Sequence, residues 1–198
     1  VYDEDQLMKF MDEDVERIAI VRHPFTQFLS SFSFFKISAR LGLEADKQSM
    51  GRFLQDPLHF KNIPQWSNVL LRTKNAMSYD FGFLGEKHQL GLIESRFTVL
   101  ILEKLYDSLI VLKRKLFWSM TDILHFSFKV RNSSLSNKMN TTMMDLHRKW
   151  SPNDYILYQH FYDIMLDKIE RGGQDLKNEV QSFQQILQTT KVFCNDWK

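Results

Sequence analysis

The sequence is poor in the residues that mark several common kinds of site. Its one cysteine, Cys194, cannot form a disulfide within the chain. Its six histidines are not spaced as close metal ligands, so we expect no metal ion. None of its seven glycines belongs to a Gly-x-x-x-x-Gly-Lys phosphate loop, and Gly82–Lys87 is a similar segment with the wrong spacing. The sequence therefore gives no support for a disulfide scaffold, a zinc site or a glycine-rich phosphate loop.

Charge and apolar runs are equally limited. The formal net charge is +2, which gives no support for broad nucleic-acid binding. The densest basic run, Lys113–Lys115, favours a solvated helix face over a binding patch. No apolar run approaches the roughly 18–20 residues needed to span a bilayer, and no signal peptide begins the sequence. Because 43% of the residues are hydrophobic, we expect a folded chain, with residues 1–198 in one domain.

The most informative feature that is present is a strand–helix unit near the start. Ile18–Val21 is a short, mostly β-branched apolar run, which favours a buried strand. Arg22 follows it, at the carboxyl end of that strand. Pro24 then fits the first turn of a helix, where its missing N–H costs nothing. Ser30 lies further along the same helix, among phenylalanines at helical spacing.

This order of residues suits a bound phosphate. Ligands of open α/β sheets bind at the carboxyl ends of the strands. A guanidinium such as that of Arg22 can hold phosphate oxygens by two parallel hydrogen bonds, and the Ser30 hydroxyl can add a third. The start of a helix also favours an anion. Taken alone, the two residues are better explained as an ordinary strand end and an ordinary helix surface, and the phosphate interpretation stays open at this point.

The remaining pattern predicts an α/β order. Predicted strands lie at 17–22, at 97–103 and within 122–130. Predicted helices lie at 24–40, 50–55, 64–74, 107–118, 152–172 and 174–190. Residues 76–96 are expected to be mainly loop, with room for a helix at 86–92. Asp107 is expected to cap the helix after the second strand, and Ser151 the helix that Pro152 opens. Gly172–Gly173 is expected to end that helix.

Four segments together carry a family resemblance. Arg22 to Ser30, with Pro24 and Phe28 between them, resembles the 3′-phosphate-binding motif of sulfotransferases. The other three segments resemble the galactose-3-O-sulfotransferase family, which includes the galactosylceramide sulfotransferases. They are Asn75–Gly82, Phe97–Arg114, and Trp150 with Asp154–Phe161. The resemblance extends from about Val15 to about Gly172, in the family's order.

The resemblance implies a donor and an acceptor. The donor is 3′-phosphoadenosine 5′-phosphosulfate, whose 3′-phosphate Arg22 and Ser30 would bind, with Arg131 as a weaker candidate for an anionic group. The acceptor is the 3-hydroxyl of galactose in a glycolipid or glycan. It needs a general base, for which His88 and Glu103 are weak candidates. The plainer interpretations are a surface histidine and a structural carboxylate. Trp66 or Tyr79 could stack on a sugar, and either is as readily a core residue.

The sequence departs from the family at one important place. The family's His-Lys-Thr-Gly loop, which holds the 5′-phosphosulfate, does not occur here. We therefore expect a partial sulfotransferase domain, with a P-loop-like parallel sheet flanked by helices but without its first strand–loop–helix unit. The resemblance also implies a lumenal Golgi protein whose membrane anchor belongs to the missing segment. Two glycosylation sequons at Asn132 and Asn140 agree with a lumenal enzyme.

Two alternatives to an active enzyme remain open from the sequence. The first is a catalytically incomplete sulfotransferase-like fragment, which would fold or bind poorly and transfer nothing. The second is an unrelated α/β nucleotide binder such as a kinase, which would prefer ATP but lacks the glycine loop it needs.

Overall fold

The computed structural model describes residues 4–12, 15–44, 48–125 and 141–195, which form two compact units. The first unit comprises Val1–Arg17, Arg22–Phe97 and Ser133–His160, and the second comprises Ile18–Val21, Thr98–Asn132 and Phe161–Lys198. Their elements are α1 (Glu4–Leu7), β1 (Ile18–Val21), α2 (Pro24–Phe34), α3 (Ile37–Arg40), α4 (Ser49–Gln55), α5 (Trp66–Thr73), α6 (Ala76–Phe81), α7 (Lys87–Arg96), β2 (Thr98–Ile101), α8 (Leu105–Leu116), α9 (Thr141–Trp150) and α10 (Pro152–Asn195). Two 3-10 turns lie at Pro57–Phe60 and Leu102–Lys104.

The second unit contains a small parallel sheet. β1 pairs with β2 in parallel, with Ile18 opposite Thr98 and Val21 opposite Ile101. Both predicted strands are confirmed, with shorter bounds, and β2 is buried along its whole length. The expectation that β1 is buried holds only in part. Val21 is buried, whereas Ile18 and Ile20, on the opposite face of the strand, are 41% and 55% exposed.

The rest of the second unit packs around a compact apolar cluster. Its fully buried members are Ile110, Ile123, Leu176, Phe183 and Leu187. The predicted apolar face of the last helix is therefore confirmed. α10 runs past the expected stop at Gly172–Gly173, but its backbone is broken there, with Gly173 at φ 58 and ψ −149. Only glycine adopts such angles readily, so the glycine pair marks a real interruption of the helix.

The basic side chains of the run Lys113–Lys115 on α8 form ion pairs and a hydrogen bond inside the second unit. Lys113 and Arg114 both form ion pairs with Glu179 of α10, at 3.4 and 3.3 Å between nitrogen and oxygen. The Lys115 ammonium donates to the hydroxyl of Thr98 at the beginning of β2. These contacts favour the structural interpretation of the run over a binding patch.

The first unit has an aromatic core built on α2. Phe25, Phe28 and Phe32 are buried at helical spacing, and the Phe28 ring stacks on Phe53 of α4 at 6.2 Å between centroids. Burying each such side chain stabilises the fold by about 1.5–3 kcal/mol. The prediction of one helix over 24–40 is wrong in one respect. α2 ends at Phe34, and Lys36, with φ 50, separates it from the short α3.

Two local predictions need correction. Residues 76–96 are mostly helical, because α6 and α7 fill the segment that we expected to be mainly loop. α8 begins at Leu105, so Asp107 lies within its first turn rather than at its cap. The end of the strand expected within 122–130, together with Arg131, Asn132 and Asn140, lies outside the described residues. In the described ranges, no helix is both long and apolar enough to cross a membrane.

Candidate functional site

The candidate phosphate site is the start of α2. Arg22 directly follows β1 and is half-buried, and Pro24 is the first helical residue, as expected. Ser30 is exposed on α2, almost two turns from the helix start. Within the described part of the chain, neither the Arg22 nor the Ser30 side chain forms a hydrogen bond or an ion pair. Both are therefore available to a ligand.

The first turn of α2 is also open. His23 is the N-cap, in an extended conformation with φ −51 and ψ 125, and its side chain forms no capping hydrogen bond. The Thr26 hydroxyl donates to the His23 carbonyl oxygen at 2.8 Å, which fixes the turn without covering the N–H groups of the helix start. Such N–H groups carry partial positive charge and favour an anion. The helix start thus adds to the positive charge of Arg22.

His23 packs against two tyrosines of α10. Its ring lies edge-on to Tyr158 at 5.5 Å and to Tyr155 at 5.9 Å between centroids, with interplanar angles of 77° and 89°. The two tyrosines are three positions apart on one helix, so they share a face. Both are buried. The residue that follows Arg22 therefore has a fixed packing environment.

A buried histidine, His147, contacts Tyr155 of this aromatic group and Phe28 of α2. His147 of α9 is 2% exposed and lies 4.7 Å from the Phe28 ring. Its Nδ1 is 3.1 Å from the Tyr155 hydroxyl. Burial lowers the pKa of His147 to about 3, and the nearby His23 acts in the same direction. Burial raises the pKa of Tyr155 to about 12, although the Arg148 guanidinium over its ring opposes this. Both groups are neutral at physiological pH.

The start of α10 is joined to the start of α6 by hydrogen bonds. Ser78 N–H donates to Asp154 Oδ1 at 2.8 Å, and Met77 N–H donates to Oδ2 at 3.4 Å. Asn153 N–H donates to Asn75 Oδ1 at 3.1 Å. Burial raises the pKa of the Asp154 carboxyl, and the N–H donors partly offset this. Two of the family-like segments, which are 76 positions apart, therefore form one structural unit.

The role expected for Ser151 is wrong. Its hydroxyl accepts from the Asn75 N–H at 3.1 Å and donates to the Thr73 carbonyl at 3.0 Å, instead of capping α10. Asn75 has φ 48 and so begins α6 from a left-handed conformation. That conformation turns the chain so that α6 can present its N–H groups to Asp154. Local spacing cannot reveal such a partner, because it lies far away in the sequence.

The two candidate bases lie on elements other than α2. His88 is on the first turn of α7, not in a loop, and its Nδ1 lies 3.3 Å from Glu86 Oε2, with both side chains about two-thirds exposed. Glu103 is exposed on the 3-10 turn after β2, in the second unit. The surroundings of His88 favour the surface interpretation. Its catalytic role and that of Glu103 stay predictions.

The aromatic candidates for stacking on a sugar differ in exposure. Trp66 is half-buried against the first core and lies 6.3 Å from the Trp150 ring, with Lys74 Nζ over that ring. Tyr79 on α6 is 46% exposed. Tyr79 is therefore the more accessible of the two. No group of three or more His, Cys, Asp and Glu that could hold a metal occurs among the described residues.

Sequence reasoning missed the residues around His23. The sequence pattern placed Tyr155 and Tyr158 in a family-like segment without giving them a role. It did not single out His147. The available signal was the pair of tyrosines at helical spacing, directly after the buried Asp154. That spacing predicts that the two tyrosines share one face of the helix, but it does not predict which residue they pack against.

Comparison with known proteins identifies the family. A sequence model of the galactose-3-O-sulfotransferases matches residues 1–197. The chain belongs to the galactose-3-O-sulfotransferase family. Relatives include galactose-3-O-sulfotransferase 2 of Mus musculus, 27% identical over 96% of this chain and 50% of the relative. The same enzyme of Homo sapiens is 29% identical, over 89% of this chain and 46% of the relative.

A second named enzyme in the family is also similar. Galactosylceramide sulfotransferase of Mus musculus is 26% identical over 90% of this chain and 44% of the relative. The chain thus spans about half the length of the curated relatives that it matches. No solved structure matches the chain.

Proposed function

We propose that this chain is part of a carbohydrate sulfotransferase. It would transfer a sulfuryl group from 3′-phosphoadenosine 5′-phosphosulfate to the 3-hydroxyl of a galactose residue in a glycolipid or glycan. The family match supports the reaction class. The observation that supports the donor site is that Arg22, beside the uncapped start of α2, and Ser30, further along the same helix, have no protein partner among the described residues.

Arg22 and Ser30 would bind the 3′-phosphate of the donor. A guanidinium supplies two parallel charge-assisted hydrogen bonds to phosphate oxygens, and the hydroxyl of Ser30 supplies a neutral one. The uncapped first turn of α2 adds N–H donors and a favourable dipole. These groups anchor and orient the donor; they do not take part in bond making or bond breaking.

The chemistry then depends on the acceptor hydroxyl and a base. Galactose O3 forms a bond to sulfur while the bond from sulfur to the donor's phosphate oxygen breaks, and adenosine 3′,5′-bisphosphate leaves. The proton of O3 passes to a general base. Correct placement of donor and acceptor supplies much of the rate in a transfer of this kind. Within this chain His88 and Glu103 are the candidates for the base.

The natural setting would be the lumenal side of the Golgi membrane. A glycolipid acceptor lies in a membrane, and a glycan acceptor lies on the same lumenal side. The sequons at Asn132 and Asn140 would then carry glycans. Expression in a secretory system, followed by glycosidase digestion, tests this directly. We expect digestion to lower the mass of the wild-type chain. It should not change the mass of a chain in which both asparagines are replaced by glutamine.

Calorimetry with adenosine 3′,5′-bisphosphate tests the donor site. Arg22→Ala should weaken binding by about tenfold or more, since a charged hydrogen-bond partner is lost. The matched control is Arg40→Ala, at an exposed arginine of α3 whose Nε donates to the Phe35 carbonyl. It should bind like the wild type. Equal affinity of the wild type and Arg22→Ala would contradict the proposed site.

Two further measurements separate the alternatives. A kinase-like nucleotide binder would prefer ATP to adenosine 3′,5′-bisphosphate. An incomplete fragment would bind the bisphosphate but transfer no sulfate to a galactoside. Activity should then appear when the chain is joined to the part of a family member that it does not match. Full activity of the short chain would refute the argument that it is a fragment.

A further inference from the structure

The residue next to the phosphate-binding arginine has no assigned task in the proposed reaction. His23 lies between Arg22 and Pro24 and forms the N-cap of α2. The proline ring fixes the backbone on one side and disfavours helical angles at His23. Whatever holds the His23 side chain therefore also sets the direction in which the Arg22 side chain leaves the backbone.

Two tyrosines hold that side chain. The His23 ring lies edge-on to Tyr158 and Tyr155, at 5.5 and 5.9 Å between centroids. Edge-to-face contacts at this separation are favourable beyond the burial of area. Two such contacts limit the positions that the His23 ring can take.

Tyr155 is itself held by neighbours. Its hydroxyl lies 3.1 Å from His147 Nδ1, and the Arg148 guanidinium lies 4.6 Å over its ring. The preceding residue, Asp154, accepts N–H donors from α6. The first turn of α10 is thus connected to α6 and α9, and Tyr158 is buried on the same helix.

We propose that Tyr155 and Tyr158 are positioning residues that hold His23 and, through it, orient Arg22 for the 3′-phosphate. This inference rests on the proposed function. An arginine side chain loses rotamer entropy when it is fixed, so a backbone that already points it at the ligand binds more tightly. The tyrosines touch neither donor nor acceptor in this scheme and act only through His23.

The test compares two ligands that differ by one phosphate. Adenosine 3′,5′-bisphosphate carries the 3′-phosphate, and adenosine 5′-phosphate does not. Tyr158→Ala removes the one edge contact between Tyr158 and His23. It should weaken binding of the bisphosphate about fivefold and change binding of the monophosphate less than about twofold. Tyr158→Phe keeps the ring and should bind the bisphosphate within about twofold of the wild type.

A double-mutant cycle with Arg22→Ala makes the test specific. If Tyr158 acts through Arg22, then Tyr158→Ala should add almost nothing once Arg22 is alanine. Tyr106→Ala is the matched control, because Tyr106 is a half-buried tyrosine that packs on Phe183 in the second unit. It should leave the affinity for both ligands unchanged.

Loss of folding is separated from loss of positioning. Tyr158→Leu fills most of the space without an aromatic edge. If Tyr158→Ala does not fold, Tyr158→Leu takes its place and should show the same selective weakening of the bisphosphate. Equal weakening for both ligands, or full additivity with Arg22→Ala, would overturn the inference. Failure of the proposed function gives another pattern, in which Arg22→Ala itself has no effect on the bisphosphate.

Discussion

The starts of α2 and α6 are a natural pair for comparison. Both are helix starts in the first unit, and both present backbone N–H groups that the helix itself cannot satisfy. At α6 the chain supplies its own anion, because the Asp154 carboxylate accepts from Met77 and Ser78. At α2 no side chain caps the helix, and Arg22 has no partner in the described residues.

This difference separates a helix start that the chain closes itself from one that we propose binds a ligand. A carboxylate that is covalently part of the chain closes the start of α6 permanently and contributes to stability. The start of α2 keeps its positive charge, at some cost to the free protein, and can recover that cost when an anion binds. Changes at α6 should therefore alter folding, whereas changes at α2 should alter binding. The following predictions test that division.

The largest effect is expected at the closed helix start. Asp154→Ala leaves two N–H groups without an acceptor in a buried place, which should lower the free energy of unfolding by about 3 kcal/mol. Denaturant titration measures this loss. The matched control is Asp122→Ala, because the Asp122 carboxylate also accepts a backbone N–H, from Ser119 at 2.7 Å, but is exposed. A loss no larger than that of the control would show that α6 does not depend on Asp154.

The aromatic core beneath the open helix start should make stability dependent on pH. The unfolded state protonates His147 near its ordinary value, while burial holds the pKa at about 3 in the folded state. Stability is therefore complete above the ordinary pKa and falls as the pH decreases towards 3, with a slope of up to about 1.4 kcal/mol per pH unit.

Replacing the histidine provides the measurement. His147→Gln should flatten this slope. Asp154 acts in the opposite direction, because burial raises its pKa and protonation is easier in the folded state. The informative quantity is consequently the difference between variant and wild type. An unchanged slope in His147→Gln would contradict the buried neutral histidine.

At the open helix start, binding and stability should separate. Arg22→Ala should weaken adenosine 3′,5′-bisphosphate about tenfold or more, yet change the free energy of unfolding by less than about 0.5 kcal/mol. Ser30→Ala should weaken the same ligand a few-fold, since it removes one neutral hydrogen bond. Calorimetry and denaturant titration on the same samples give both quantities. If Arg22→Ala destabilises the protein as much as Asp154→Ala, the two helix starts do not differ in kind.

The smallest expected effect is the salt dependence of the two helix starts. Arg22 is only half-buried, so raising salt from about 0.05 to 0.5 M should weaken bisphosphate binding roughly threefold by screening. The loss of stability in Asp154→Ala should be nearly the same at both concentrations, because that carboxylate is buried. A salt-independent affinity would mean that charge contributes little at α2.

Local patterns were sufficient for the strand–helix units. The β-branched run at Ile18–Val21 and the phenylalanines at helical spacing predicted β1 and α2, and Pro24 marked the first helical residue. The same reasoning failed at residues 76–96. Short helices such as α6 have weak periodicity, and α6 begins and ends at Asn75 and Gly82 in left-handed conformations.

The sequence alone was enough for the family, which the comparison confirms. It also predicted Arg22 and Ser30 as donor-binding residues from order and spacing along the chain, and that stays a prediction. Only the tertiary structure decided which helix start is closed and which stays open. That decision depends on hydrogen bonds from Asp154 across 76 and 77 positions and on the packing of His23 against two tyrosines. Such contacts form when distant segments are brought together by burial of their apolar faces, and no local pattern encodes which partners will meet.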